Sequence, residues 1–236
     1  MKKIMTGCLA LLLFGAATAK AQDTVETTIG TDIVSSYVWR GLELGDVSIQ
    51  PTLGISYKGL SLSAGGSTGL SNQADTREFD LTLAYTIGGF NIGVTDYWFN
   101  AGLDPLNRYF AYAAHCTNHV FEANVGYDFG FASLQWYTNF AGNDGLTPAG
   151  KRAYSSYVEI NVPFVLGGVD WTATAGAVPF ATDFYGVEGF GFVNVALTAS
   201  KDIRITDSFS IPVFAQVAAN PCSRDAFFVF GITLQP

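Results

Sequence analysis

Two histidines and a cysteine fall within five positions at His115-Cys116-Thr117-Asn118-His119, the one stretch whose side chains are together metal ligands and general bases. Two imidazoles four residues apart around a thiol can hold a metal. Here the segment is not helical and no carboxylate pair lies close by, so no metal site is expected. The same histidines are the only candidate bases for a nucleophilic serine. Ser155 and Ser156 fall near the same predicted rim, but no G-x-S-x-G elbow occurs, so no catalytic residue is assigned and no cofactor is implied. Beyond the leader described below, Cys116 and Cys222 are the only thiols; in an oxidising compartment they either form a bridge across a mouth or remain free.

The larger chemical set is dispersed. Gln50, Glu78, Asp80, Glu122, Asn124, Gln135, Glu159 and Gln216, with Asn139, Asn161 and Asp170, each sit among apolar residues at alternate positions. If gathered on the inner wall of a narrow tube, these acids and amides would concentrate cations and repel anions. Gathering them requires strands. From Glu78 to Ile87 the chain places Phe79, Leu81, Leu83, Tyr85 and Ile87 on one face and Glu78, Asp80, Thr82, Ala84 and Thr86 on the other. The same period of two predicts strands over 24–40, 47–58, 59–69, 77–87, 90–99, 118–129, 131–141, 151–164, 168–178, 190–200, 207–219 and 225–235.

Tight glycine turns at 57–59, 87–89, 129–130 and 166–168 alternate with longer links at 41–46, 70–76, 100–117, 142–150, 179–189 and 220–224. Short turns on one rim and long loops on the other, with an even strand number, predict an all-β fold, an antiparallel up-and-down transmembrane β-barrel of about 12 strands. A secreted β-sandwich shows the alternation too. Charge placement separates the two. Arg40, Arg77, Arg108, Lys151, Arg152, Arg224, Lys58, Lys201 and Arg204 all fall near strand ends or in loops. A lipid-facing cation costs about 2–4 kcal/mol at the bilayer midplane, whereas a wet sandwich face tolerates one. The aromatic residues predict two girdles: Tyr37, Trp39, Tyr97, Trp98, Trp136 and Phe140 toward the loops, and Tyr57, Phe90, Tyr127, Phe129, Phe164 and Trp171 toward the turns. Tyr137, Tyr157, Phe192 and Phe214 are expected on the inward face.

Composition agrees. The chain has 236 residues, 49% of them hydrophobic and 14% charged, and no apolar run after the N-terminal one is long enough for a spanning helix. Lys2 and Lys3 precede an apolar run and Ala19-Lys20-Ala21 offers a small-residue cleavage site, so residues 1–21 read as a signal peptide and 22–236 as the barrel. Without the leader nine cations face 20 carboxylates, a net charge of −11 that offers no basic surface to nucleic acid.

The segment Asp32-Ile33-Val34-Ser35-Ser36-Tyr37-Val38-Trp39-Arg40-Gly41, followed by Ser48-Ile49-Gln50-Pro51, resembles the opening of the TorF-type porin family, though members of that family carry Asp where Ser36 stands. The resemblance implies a Gram-negative outer-membrane barrel of channel type and transfers no catalytic or substrate residue.

These readings point to a narrow passive channel in the bacterial outer membrane for small cationic or neutral solutes, with the barrel-insertion machinery and membrane lipids as partners. A plugged structural or adhesive barrel and an outer-membrane lipid hydrolase are the alternatives. Arg40 near the loop rim either forms a charge constriction with Glu78 or Glu122 or binds loop carboxylates or lipid phosphates. Asp96 shares parity with Phe90, Ile92, Val94 and Trp98, so either a bulge re-aims it or its strand reaches the interface there.

Overall fold

The computed structural model describes residues 24–71, 75–101, 108–113, 116–207 and 209–236. The leader assigned to 1–21 and His115 lie outside the described residues. The strands are β1 (Glu26–Val34), β2 (Tyr37–Trp39), β3 (Leu42–Gly45), β4 (Ser48–Tyr57), β5 (Leu60–Gly69), β6 (Thr76–Ile87), β7 (Phe90–Ala101), β8 (His119–Asp128), β9 (Ser133–Gly142), β10 (Ser156–Leu166), β11 (Val169–Val178), β12 (Gly191–Arg204), β13 (Ser210–Asn220) and β14 (Asp225–Leu234). Twelve of them, β1 and β4 to β14, close into an antiparallel barrel in which each strand pairs with its sequence neighbours; β2 and β3 form a separate hairpin.

Alternation builds the wall as expected. Along β6, Phe79, Leu81, Leu83, Tyr85 and Ile87 are exposed on the outside while Glu78, Thr82 and Ala84 are buried on the inside. The same outward display of Leu, Ile, Val and Phe continues around the cylinder, for example Leu53 at 57% exposure and Phe230 at 59%. Such a belt is far larger than the apolar patches that water-soluble monomers show. The short turns use left-handed backbone: Lys58 and Gly59 have φ of 50° and 87°, the two positive values a two-residue hairpin turn needs.

The closing seam is short. β1 pairs with β4 from Glu26 to Val34, but with β14 only over Thr31–Val34 against Gly231–Leu234. Above it Ser35 takes over, its N–H donating to Phe230 O at 2.9 Å and its Oγ accepting from Phe230 N–H at 3.0 Å.

Three details depart from the sequence reading. The expected strand over 24–40 ends at Val34, and the chain turns into the lumen as the β2–β3 hairpin, so the link expected at 41–46 contains β3. Tyr37, Trp39 and Tyr97, expected in the loop-side girdle, are buried instead, 7 to 8% exposed, in one cluster inside the barrel. Phe192, expected inside, is 48% exposed: the register shift opposite Gly176/Ala177 skips Val193, which turns inward and is fully buried.

Candidate functional site

The loop-side half of the lumen is filled by the β2–β3 hairpin, which turns at Arg40 (φ 50°) and Gly41 (φ 78°). Gly41 is required for packing as well as for dihedral reasons, because a Cβ there would overlap the main-chain oxygen of Val193 on β12. Asn220 at the end of β13 holds the turn by donating Nδ2–H to Gly41 O at 3.1 Å.

Arg40 is the centre of the site. Its guanidinium meets Glu122 of β8 with both arms, Nη1 to Oε2 at 2.6 Å and Nη2 to Oε1 at 3.0 Å, and Nη1 also donates to Tyr185 OH at 2.9 Å. It lies 4.0 Å from the ring centroid of Tyr137, 4.4 Å from Trp39 and 4.7 Å from Tyr157. The ion pair is dry, with side-chain exposures of 2% and 3%. A planar, weakly hydrated cation tolerates such a box of aromatic faces far better than an ammonium would. Tyr97 adds a second donor to Glu122 Oε1 at 3.1 Å.

Glu78, the other partner expected for Arg40, binds Tyr37 of the hairpin through the phenol oxygen. Glu159 is held by Tyr157 OH at 2.5 Å and Asn161 Nδ2 at 2.8 Å, and Asn194 donates to the same phenol at 3.1 Å. Gly176 on β11 makes room for that ring, since a Cβ there would run into Tyr157. The hairpin's opposite side presents Val38 to Val34, Phe214 and Val229, so the plug touches both walls of the cylinder.

From above, loop 179–190 covers the hairpin. Tyr185 stacks on Trp39 with centroids 6.1 Å apart and Phe184 meets it edge-on at 6.3 Å. Burial pushes the Tyr185 hydroxyl up from its ordinary range, the Arg40 charge opposing this. Ser155 is bonded to Thr182 at 2.6 Å, and Asp183 accepts Leu146 N–H at 2.6 Å, which ties this loop to its neighbour.

The turn-side half differs. Asn124 donates to Asn91 at 3.0 Å there; Gln50, near the loop-side start of β4, and Gln216, midway along β13, face the interior closer to the plug, Gln216 donating to Thr198 at 2.9 Å. Gln135 keeps a buried oxygen without a protein partner, among small residues such as Ser63, Gly93 and Gly126; Asp80 keeps one too, but nearer the loops, two residues from Glu78 on the same face of β6.

On the outer face, Asp96 is not re-aimed by a bulge, since β7 pairs with β6 and β8 without a register shift there. It accepts from His119 Nδ1 on the adjacent strand at 2.7 Å. His119 is fully buried because residues 108–113 fold over it from outside: Nε2 meets Tyr109 O at 2.5 Å and Tyr112 stacks on the ring at 4.2 Å. Both ring nitrogens face acceptors, which leaves neither free to activate a nucleophile. Sequence reasoning missed this pair because it took His119 with His115; the available signal was that β7 and β8 each place a polar group on the outer face at diagonal positions, Asp96 opposite Phe121 and His119 opposite Trp98. Among the described residues no group of three His, Cys, Asp or Glu is placed to hold a metal. Cys116 and Cys222 are free and exposed, and Cys222 Sγ donates to Phe192 O at 3.3 Å, so the bridge that the sequence allowed is not formed.

No family model matches the chain, and no curated protein is similar to it in sequence. Among solved structures it is similar to a protein from a study of in-meso crystallization of membrane proteins, at TM-score 0.40 and 7% identity over 90% of this chain and 83% of that one. It is also similar to Salmonella typhi OmpF in complex with daunomycin, at 0.39 and 10% identity over 90% and 97%. A third is Pseudomonas aeruginosa OccK5 (OpdH), at 0.36 and 13% identity over 92% and 68%.

Proposed function

We propose that the protein is an outer-membrane channel held shut at its loop-side mouth, passing small cationic or neutral solutes when the β2–β3 hairpin is displaced. One arrangement carries the reading: an apolar belt outside, an acid- and amide-lined passage inside, and a single hairpin whose one cation, Arg40, is fixed to Glu122 across the lumen. The resemblance of the first hairpin to the TorF-type porins supports the same reading. Because the carboxylates outnumber the single lumenal cation, displacing the plug exposes an acidic wall, and that gives the cation preference.

A second reading, a permanently filled structural barrel, is favoured by how completely Tyr157, Glu159 and Val193 are buried. Planar-bilayer conductance of the purified protein under a KCl gradient separates them. The gated channel predicts rare, small, cation-selective openings that become frequent in Arg40→Ala. A barrel silent in both forms is a filled one. Lipid hydrolysis by the wild type, lost in His119→Ala, would replace both with a hydrolase.

A further inference from the structure

The segment 108–113 does not cover the mouth. It lies against the outside of the wall, where Tyr109 packs edge-on against Phe79 of β6 at 5.4 Å and Trp98 of β7 at 5.7 Å. The turn is closed by Ala111 N–H donating to Arg108 O at 2.9 Å, and the whole is pinned from beneath by the Asp96–His119 pair. The two ring nitrogens of His119 are both engaged, Nδ1 with the Asp96 carboxylate and Nε2 with the Tyr109 carbonyl, so the ring is fixed beneath the segment.

Two cations lie on this shelf. Arg108 directly precedes Tyr109, and Arg77 lies on the outer face of β6 two residues from Phe79, on which Tyr109 rests. Both are exposed, and among the described residues neither guanidinium forms an ion pair or hydrogen bond. Beside them Phe110 is 87% exposed and Tyr112 is 48% exposed. Aromatic rings that a membrane boundary would accept, next to two uncompensated guanidiniums, form a surface with one apolar and one phosphate-binding part.

We infer that the Arg77–Arg108 shelf binds the phosphorylated headgroup of a membrane lipid, whose acyl chains run down the outer wall past Phe79 and Trp98. This rests on the membrane reading above. The experiment uses the mature chain folded into phosphatidylcholine bilayers, with tryptophan fluorescence quenched by brominated phosphatidic acid or brominated phosphatidylcholine. Phosphatidic acid is expected to quench the Trp98 component with about tenfold preference at low salt, as two interfacial arginines allow. The preference should fall to near unity in Arg77→Gln/Arg108→Gln and persist in Lys151→Gln, with barrel mobility on unheated gels unchanged. Equal quenching by both lipids, or an equal loss in Lys151→Gln, overturns the inference and leaves the membrane reading standing. Quenching by neither lipid removes the membrane reading itself.

Discussion

The two halves of the lumen are enclosed by the same twelve strands but solve the problem of an interior in opposite ways. Toward the loops the space is occupied by the chain itself: a hairpin, an aromatic box and a paired guanidinium, with almost no accessible surface. Toward the turns it is left to small and polar residues such as Gly93, Gly126, Asn124 and Gln135, the last with an Oε1 that no protein group meets. Only the first half depends on long-range partners. Its stability therefore rests on a few irreplaceable contacts, whereas the second is expected to tolerate substitution as a hydrated surface does.

Removing the counter-ion tests this difference most severely. Glu122→Ala leaves Arg40 buried and unpaired, and should lower barrel stability by about 3–5 kcal/mol in denaturant titrations in detergent. Arg40→Met/Glu122→Leu should be close to neutral by comparison, since an apolar pair needs no counter-charge; a loss as large as that of the single variant would mean that the pair itself is indispensable. Next, Gly176→Val should cost about 1–3 kcal/mol by displacing Tyr157 from its place over the glycine. The turn-side counterpart is Gln135→Ala, expected to stay within about 0.5 kcal/mol of wild type; a cost approaching that of Glu122→Ala would abolish the distinction between the halves. Smallest of all, Cys116→Ser/Cys222→Ser should unfold at the same denaturant concentration as wild type with or without reductant, because no bridge joins the two thiols.

The wall was readable because its signal is local. Phe79 to Ile87 or Val47 to Tyr57 declare their two faces within ten residues, and glycine turns mark where the chain reverses. The plug was not readable for the same reason. Tyr37 and Trp39 continue the alternation of β1, and only Ser35-Ser36 separates them, so nothing nearby indicates that the chain leaves the wall. That Arg40 chooses Glu122 over Glu78 depends on where the hairpin tip lands, which is set by Val193, Asn220 and Tyr185, each more than 140 residues away. The Asp96–His119 contact joins diagonal outward positions on neighbouring strands, and needs their register to be known. Phe192 was misplaced by a single skipped residue, which inverts a face without changing composition.

Val34 and Ser48 face each other across the ladder between β1 and β4. Everything from Ser35 to Val47 is therefore an excursion between two residues that a two-residue reverse turn could join directly. The obstruction is thus modular: splicing it out should preserve the register of the cylinder, and sequences of different length or charge grafted at the same point would give tubes of one diameter with interchangeable stoppers.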